Sequence, residues 1–164
     1  MSRAFIKEDG AQPDEDPPER PISSHPNYVT VRGEALLRER ERRLEAVLAE
    51  LTGRQDDPER HRRKREAQRD LRYTRAKLDA AIVVDAASVP KGEARFGALV
   101  VWRRPDGSLA RARIVGEDEA EDGGELLSWT SPLAQALLGL KPGDSFQAGA
   151  EGERGVIVSI EPGD

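Results

Sequence analysis

Between Leu37 and Ala81 the apolar residues fall on two narrow helical stripes, and most of what lies between them is charged. Leu37, Leu44, Leu48 and Leu51 recur at spacings of 7, 4 and 3. Ala67, Leu71, Thr74, Leu78 and Ala81 recur at spacings of 4, 3, 4 and 3. Each series draws one line down one side of an α-helix. A helix with a single apolar line buries it only against another such line, so the two stripes must face each other. The other faces carry Arg38, Glu39, Arg40, Glu41, Arg42, Arg43 and Glu45, mixed in sign as on a solvated coiled-coil surface. Gly53 stops the first helix as a C-terminal glycine does. Asp57-Pro58-Glu59 starts the second: Asp as N-cap, Pro at the first helical position, Glu in the first turn. Helices over residues 34–52 and 58–81 are therefore predicted to form an antiparallel hairpin whose twenty-residue arms project roughly 30 Å.

On either side of this hairpin the character of the chain changes. Residues 1–26 have no apolar periodicity, and Gln12 to Pro21 is dominated by acids and prolines, so the segment is expected to be disordered. Tyr28, Val29 and Val31 alternate as a short extended lead-in, with Thr30 placed to cap the helix that follows. Beyond Asp85 come short β-rich runs: Phe96–Trp102, Leu109–Val115, Leu126–Trp129 and Val156–Ile160. Pro105-Asp106-Gly107 is a hairpin turn between the first two, and Lys141-Pro142-Gly143-Asp144 precedes a further strand. Ser131 to Gly139 reads as a short helix with Ser131 as cap, Pro132 at its first position and Gly139 at its end. One helix with four or five antiparallel strands makes an α+β globule, and most large apolar residues lie there. The expected domains are a disordered tail over 1–27, a hairpin over 28–84 and a globule over 85–164.

Composition narrows the function. The 164-residue chain has no Cys, which excludes disulfide scaffolds, thiolate zinc sites and thiol catalysis and fits a reducing compartment. No apolar run approaches the roughly 20 residues of a spanning helix, and Met1 to Gly10 lack the apolar core of a secretory signal. A cytoplasmic location with no membrane contact is expected. The net charge of −5 argues against simple polyanion binding by the whole molecule. It is unevenly spread: residues 34–79 hold 14 basic and 11 acidic residues, residues 80–164 hold 8 basic and 14 acidic. Two surfaces meeting different partners is one reading of that asymmetry, and a solvated charged helix pair beside an acidic globule is the other.

Four segments carry a more specific signal: Phe96-Gly97-Ala98, Arg113 to Ala120 (RIVGEDEA), Ser131 to Gly139 (SPLAQALLG) and Pro142-Gly143-Asp144. In this order and spacing they resemble the C-terminal domain of the GreA/GreB family of bacterial transcript-cleavage factors. Val29-Thr30-Val31-Arg32-Gly33 and Ala76 to Ala81 look like the two ends of that family's coiled-coil hairpin, so the resemblance covers about residues 28–162. It implies an N-terminal antiparallel coiled-coil hairpin on an FKBP-like antiparallel sheet with one short helix. It also implies RNA polymerase as the partner, with the globule on the rim of the secondary channel and the hairpin inside it. In the family, an acidic pair at the tip helps the polymerase hold a second Mg²⁺. Two-metal phosphoryl transfer calls for carboxylate oxygens on a hard cation that keeps most of its waters. The catalytic residues belong to the polymerase, so this chain is expected to be an accessory factor: not an enzyme, without a cofactor or metal site of its own, monomeric, and touching RNA and DNA only indirectly within the elongation complex. DNA-binding enters in that sense alone.

The tip departs from the family. The string of Asp, then Glu-Asn, then an acidic-aromatic pair is absent, and the arms are several residues shorter. The local acids are Asp56, Asp57 and Glu59. Asp57 reads first as a helix cap, which needs no metal. Arg60, Arg62, Arg63, Lys64 and Arg65 follow as a basic patch: a contact for RNA or the polymerase interior, or a soluble face neutralising Glu50, Asp56 and Asp57. His61 lacks any ligand-forming neighbour and reads as a surface residue. Trp129, Thr130, Ser131 and Pro132 stand where the family's loop touches the polymerase rim: Ser131 and Pro132 match that loop and also start a helix, Thr130 stands where acidic or amide residues are common in relatives, and Trp129 is either core or an exposed anchor. Glu117-Asp118-Glu119 is read as a solvated turn. The expectation is an elongation regulator with reduced or no cleavage stimulation. The alternative is an Rnk-like regulator of nucleotide metabolism that binds the polymerase without cleavage and has a shorter coiled coil. A prolyl isomerase, suggested by the FKBP-like fold, lacks aromatics for its pocket: 3 Phe, 2 Trp and 2 Tyr are scattered.

Overall fold

The computed structural model describes residues 16–53, 57–85, 91–120 and 124–163, and the statements below concern these. Thr30 ends a short strand β1 (Asn27–Thr30) and caps helix α1 (Val31–Leu51): its Oγ1 accepts from Gly33 N at 2.9 Å. Because the cap acts immediately, the helix begins at Val31 rather than Glu34, and Val31 is an exposed helical residue instead of part of the extended lead-in. Helix α2 (Pro58–Asp79) starts as expected on Asp57 and Pro58. The two helices pack antiparallel through Leu37, Ala67, Leu71 and Thr74, all buried, with Leu44, Leu48, Leu51 and Leu78 half-buried along the same seam. Thr74 hides its hydroxyl by donating to Asp70 O at 2.8 Å. Arg75 donates to Glu41 at 2.9 Å and to Glu45 at 2.6 Å, fastening α2 to α1.

Helix α2 ends two residues before the stripe does. Ala80 turns the chain (φ −91°, ψ 1°), and Ala81 enters a strand β2 (Ala81–Val84) that pairs parallel with β1, Asn27 opposite Ala81 and Thr30 opposite Val84. Parallel pairing needs a long crossover, and the whole helical hairpin is that crossover. The β-branched run Ile82-Val83-Val84 favours the strand.

The globule is a five-stranded sheet in the order β5-β4-β3-β7-β6. Its strands are β3 (Leu99–Arg103), β4 (Leu109–Val115), β5 (Leu126–Ser128), β6 (Ser145–Gln147) and β7 (Arg154–Glu161). Helices α3 (Glu117–Ala120) and α4 (Pro132–Leu137) lie in the connections. The α+β class is as expected. The pairing departs at one place: β5 runs parallel to β4, because the chain reaches it through a crossover carrying α3 and not through a hairpin. Gly107 at φ +85° makes the β3–β4 turn, with Asp106 Oδ1 accepting from Ser108 N at 2.9 Å. The core holds Val100, Trp102, Ile114, Ala134, Leu137, Phe146 and Ile157. Trp102 meets Phe146 edge to face at 5.9 Å. Its buried indole donates to Glu153 at 3.0 Å. Arg104 first, and Trp102 after it, hold the Glu153 carboxyl below the ordinary glutamate range.

Candidate functional surfaces and the junction between them

The far end of the hairpin is built from local hydrogen bonds. Thr52 closes α1 by donating Oγ1 to Leu48 O at 2.7 Å, and Gly53 follows at φ +80°. Asp57 Oδ1 accepts from Glu59 N at 3.2 Å, so its carboxylate is engaged as the N-cap of α2. Glu59 accepts from Arg62 Nη2 at 2.7 and 2.8 Å. Asp56 lies outside the described residues. No cluster of three potential metal ligands occurs among the described residues. The basic run Arg60, Arg62, Arg63, Lys64 and Arg65 does not share a face. Near-consecutive helical positions step about 100° each, so the five side chains wrap the helix. Arg62 turns to Glu59, Arg65 lies 3.4 Å from Asp16, and Arg63 is exposed. His61 is exposed, as expected.

At the other end, β5 runs straight into the segment Trp129 to Pro132, and all four residues lie on one stretch of surface. Trp129 is half-buried. Its ring stands edge to face with Tyr28 at 5.2 Å and His25 at 5.8 Å. Its N–H donates to Val115 O at 2.9 Å, and its carbonyl accepts from Gln135 Nε2 at 2.7 Å. Thr130 Oγ1 lies 2.8 Å from Ser128 Oγ and 3.3 Å from Glu117 Oε1. Ser131 caps α4, its Oγ accepting from Ala134 N at 3.2 Å, and Pro132 follows, exposed, at the first helical position. Backbone and side-chain bonds thus hold the loop from both sides.

Glu117-Asp118-Glu119 is not a solvated turn. The three residues open α3, and their steps around it send one carboxylate in each of three directions. Glu119 is 5% exposed and inserts under the start of α1: Oε1 accepts from Thr30 Oγ1 at 2.6 Å, and Oε2 from Thr30 N at 3.2 Å and Gly116 N at 3.3 Å. A carboxylate there also faces the positive end of the helix dipole. Asp118 turns to α2. It accepts from Tyr73 OH at 2.8 Å and lies 3.1 Å from Lys77 Nζ. Lys77, 2% exposed, also lies 3.7 Å from Glu117, and its carbonyl accepts from Asn27 Nδ2 at 2.7 Å. Glu117 turns to Thr130 and so joins this junction to the Trp129–Pro132 surface. The one sequence signal for the junction was Lys77 itself, which sits three residues from Thr74 and six from Leu71 on the buried side of α2.

Residues 89–162 match the family model "Transcription elongation factor, GreA/GreB, C-term". Among curated proteins the chain is 37% identical over 103 residues to transcription elongation factor GreB of Neisseria meningitidis serogroup B, covering 61% of this chain and 63% of that protein. It is 38% identical over 99 residues to GreB of Xanthomonas axonopodis pv. citri, covering 58% and 59%. It is 37% identical over 89 residues to GreA of Psychrobacter arcticus, covering 53% and 55%. The chain thus spans less than two thirds of the length of the curated relatives it matches. Among solved structures it is similar to the GreA factor homolog 1 (Gfh1) protein of Thermus thermophilus, at 24% identity over 84% of this chain and 99% of that one, with a TM-score of 0.37.

Proposed function

We propose, for a chain that belongs to the GreA/GreB family by its residues 89–162, that it is an RNA polymerase-binding regulator of elongation, working through the secondary channel with reduced or no stimulation of transcript cleavage. The observation that carries the second half of this reading is the tip. Asp57 Oδ1 caps α2 and Glu59 pairs with Arg62, which leaves fewer carboxylate oxygens at the tip to share with a metal ion. Holding a labile Mg²⁺ generally takes one or two carboxylates beside its retained waters. Short arms also bring the tip less deep, by about 1.5 Å per missing residue.

The first half rests on the surface of Trp129, Thr130, Ser131 and Pro132, a capped and cross-braced loop that offers a partner a rigid platform. In this reading the chain is not an enzyme and has no cofactor of its own. It works as a monomer in the cytoplasm, away from membranes, and its basic tip approaches nucleic acid only within the elongation complex.

Binding of RNA polymerase by the full chain tests the platform. Ser131→Asp keeps an N-cap residue while adding a charge, and Pro132→Lys changes an exposed position. Each is expected to weaken binding roughly tenfold, about 1.4 kcal/mol, with an unchanged circular dichroism spectrum. Folded variants that bind as tightly as wild type would remove the platform from the proposal.

A further inference from the structure

Residues 16–26 form neither helix nor strand, yet they lie along α2 in a consistent order. Asp16 Oδ1 is 3.4 Å from Arg65 Nε, and Glu19 pairs with Arg72 one α2 stretch further on. The Arg20 guanidinium stacks over the Tyr73 ring at 3.9 Å. At the end of the run, His25 meets Trp129 edge to face, with Nδ1 3.9 Å from Glu117. Strap positions 16, 19 and 20 thus match helix positions 65, 72 and 73, in the same direction. Pro17, Pro18 and Pro21 keep the strap extended and prevent it from joining a helix.

Helix α2 carries nine basic and four acidic residues. Four of the basic ones are engaged away from the strap: Arg75 by α1, Arg62 by Glu59, Arg69 by Asp70, Lys77 by α3. Arg65 and Arg72 instead take strap carboxylates. These pairs are weakly protected. On the strap side Asp16 and Glu19 are 87% and 63% exposed, and on the helix Arg72 is 59% exposed while Arg65 is 23% exposed. Ion pairs so open to solvent contribute little and are screened by salt. A phosphate chain offers the same charge at repeating intervals and releases counterions when it binds.

We propose that residues 16–26 are an autoinhibitory strap: their carboxylates occupy the Arg65–Arg72 face of α2, which binds a single-stranded polyanion once they leave. The proposal does not depend on polymerase binding. It requires only that the strap and a nucleic-acid strand compete for one face.

The test is fluorescence anisotropy of a labelled oligothymidylate of about twenty nucleotides with the full chain, across a salt series starting near 50 mM. The variant Asp16→Asn, Glu19→Gln removes both strap carboxylates. The control Glu151→Gln, Glu161→Gln makes the same change in net charge at two exposed positions of the globule. The strap variant is expected to bind about tenfold tighter than wild type. Its salt dependence should steepen by up to about 1.4, which is two phosphates at about 0.7 each. The control should move neither quantity by more than about twofold. Equal tightening in variant and control would mean that net charge alone is at work and would overturn the strap. No tightening in the strap variant, or no measurable binding by it, would overturn it as well.

Discussion

The two ends of the hairpin are made from the same residue types and differ in what surrounds them. At the tip, Asp57, Glu59 and Arg62 are exposed, and each bonds a residue within three positions of itself. At the base, Lys77 and Glu119 are almost fully buried, and their partners lie far away in sequence: Thr30 and Glu119 are 89 positions apart. Acids near bases therefore say little by themselves. Exposed pairs stay in water, where screening and side-chain entropy leave them worth tenths of a kcal/mol. A buried charge left without its partner keeps its desolvation cost, so base contacts matter as a set. The base ties the hairpin to the Trp129–Pro132 surface through Glu117, which lies 3.7 Å from Lys77 and 3.3 Å from Thr130.

This difference is easiest to break at Lys77. Lys77→Met strands Asp118 and Glu117 at the junction, and urea unfolding should show a loss of about 3–5 kcal/mol. Adding Asp118→Asn should recover part of it, because the stranded charge is then gone. A single-variant loss under about 1 kcal/mol would reduce the junction to an ordinary surface pair. Next comes Gly33→Ala. A Cβ at Gly33 would collide with the Glu119 carboxylate, so the substitution should cost about 1–3 kcal/mol despite the better helix propensity of Ala. With Glu119→Ala already present, the clash is gone, and Gly33→Ala should then cost far less; additive effects would show that the two sites do not touch.

The tip gives smaller numbers. Asp57→Ala should cost about 0.5–2 kcal/mol and Asp57→Asn close to nothing, since Asn caps as well as Asp. Similar losses for both would mean that the charge of Asp57, and not its capping geometry, is what matters. Smallest of all, Glu59→Gln should change the unfolding midpoint by an amount equivalent to about 0.2–0.5 kcal/mol, the worth of one exposed helical pair.

What could be read from the sequence was whatever a residue settles with its near neighbours. Thr30, Asp57 and Ser131 cap helices as expected, because a cap reaches only two or three residues along the chain. The apolar stripes gave the hairpin for the same reason. Strand β2 was missed because four residues with exposed Ile82 and Val83 make a strand only where β1 is present to pair with them. The acids of α3 were misread because three consecutive carboxylates look solvated until α1, α2 and Thr130 are placed around them. The described residues 16–26 have no periodicity either; their order comes from Arg65, Arg72, Tyr73 and Trp129 on other elements.

The sharpest test of the proposed function sets the tip against the polymerase itself. Stalled, backtracked elongation complexes are incubated with wild type and with the Asp56→Ala, Asp57→Asn variant, in which Asn preserves the cap, and the shortened RNA is measured. The account predicts that wild type binds the complex yet leaves cleavage close to the factor-free rate, and that the variant behaves the same. Robust cleavage with wild type, lost in the variant, would contradict it and make the tip acids the working site.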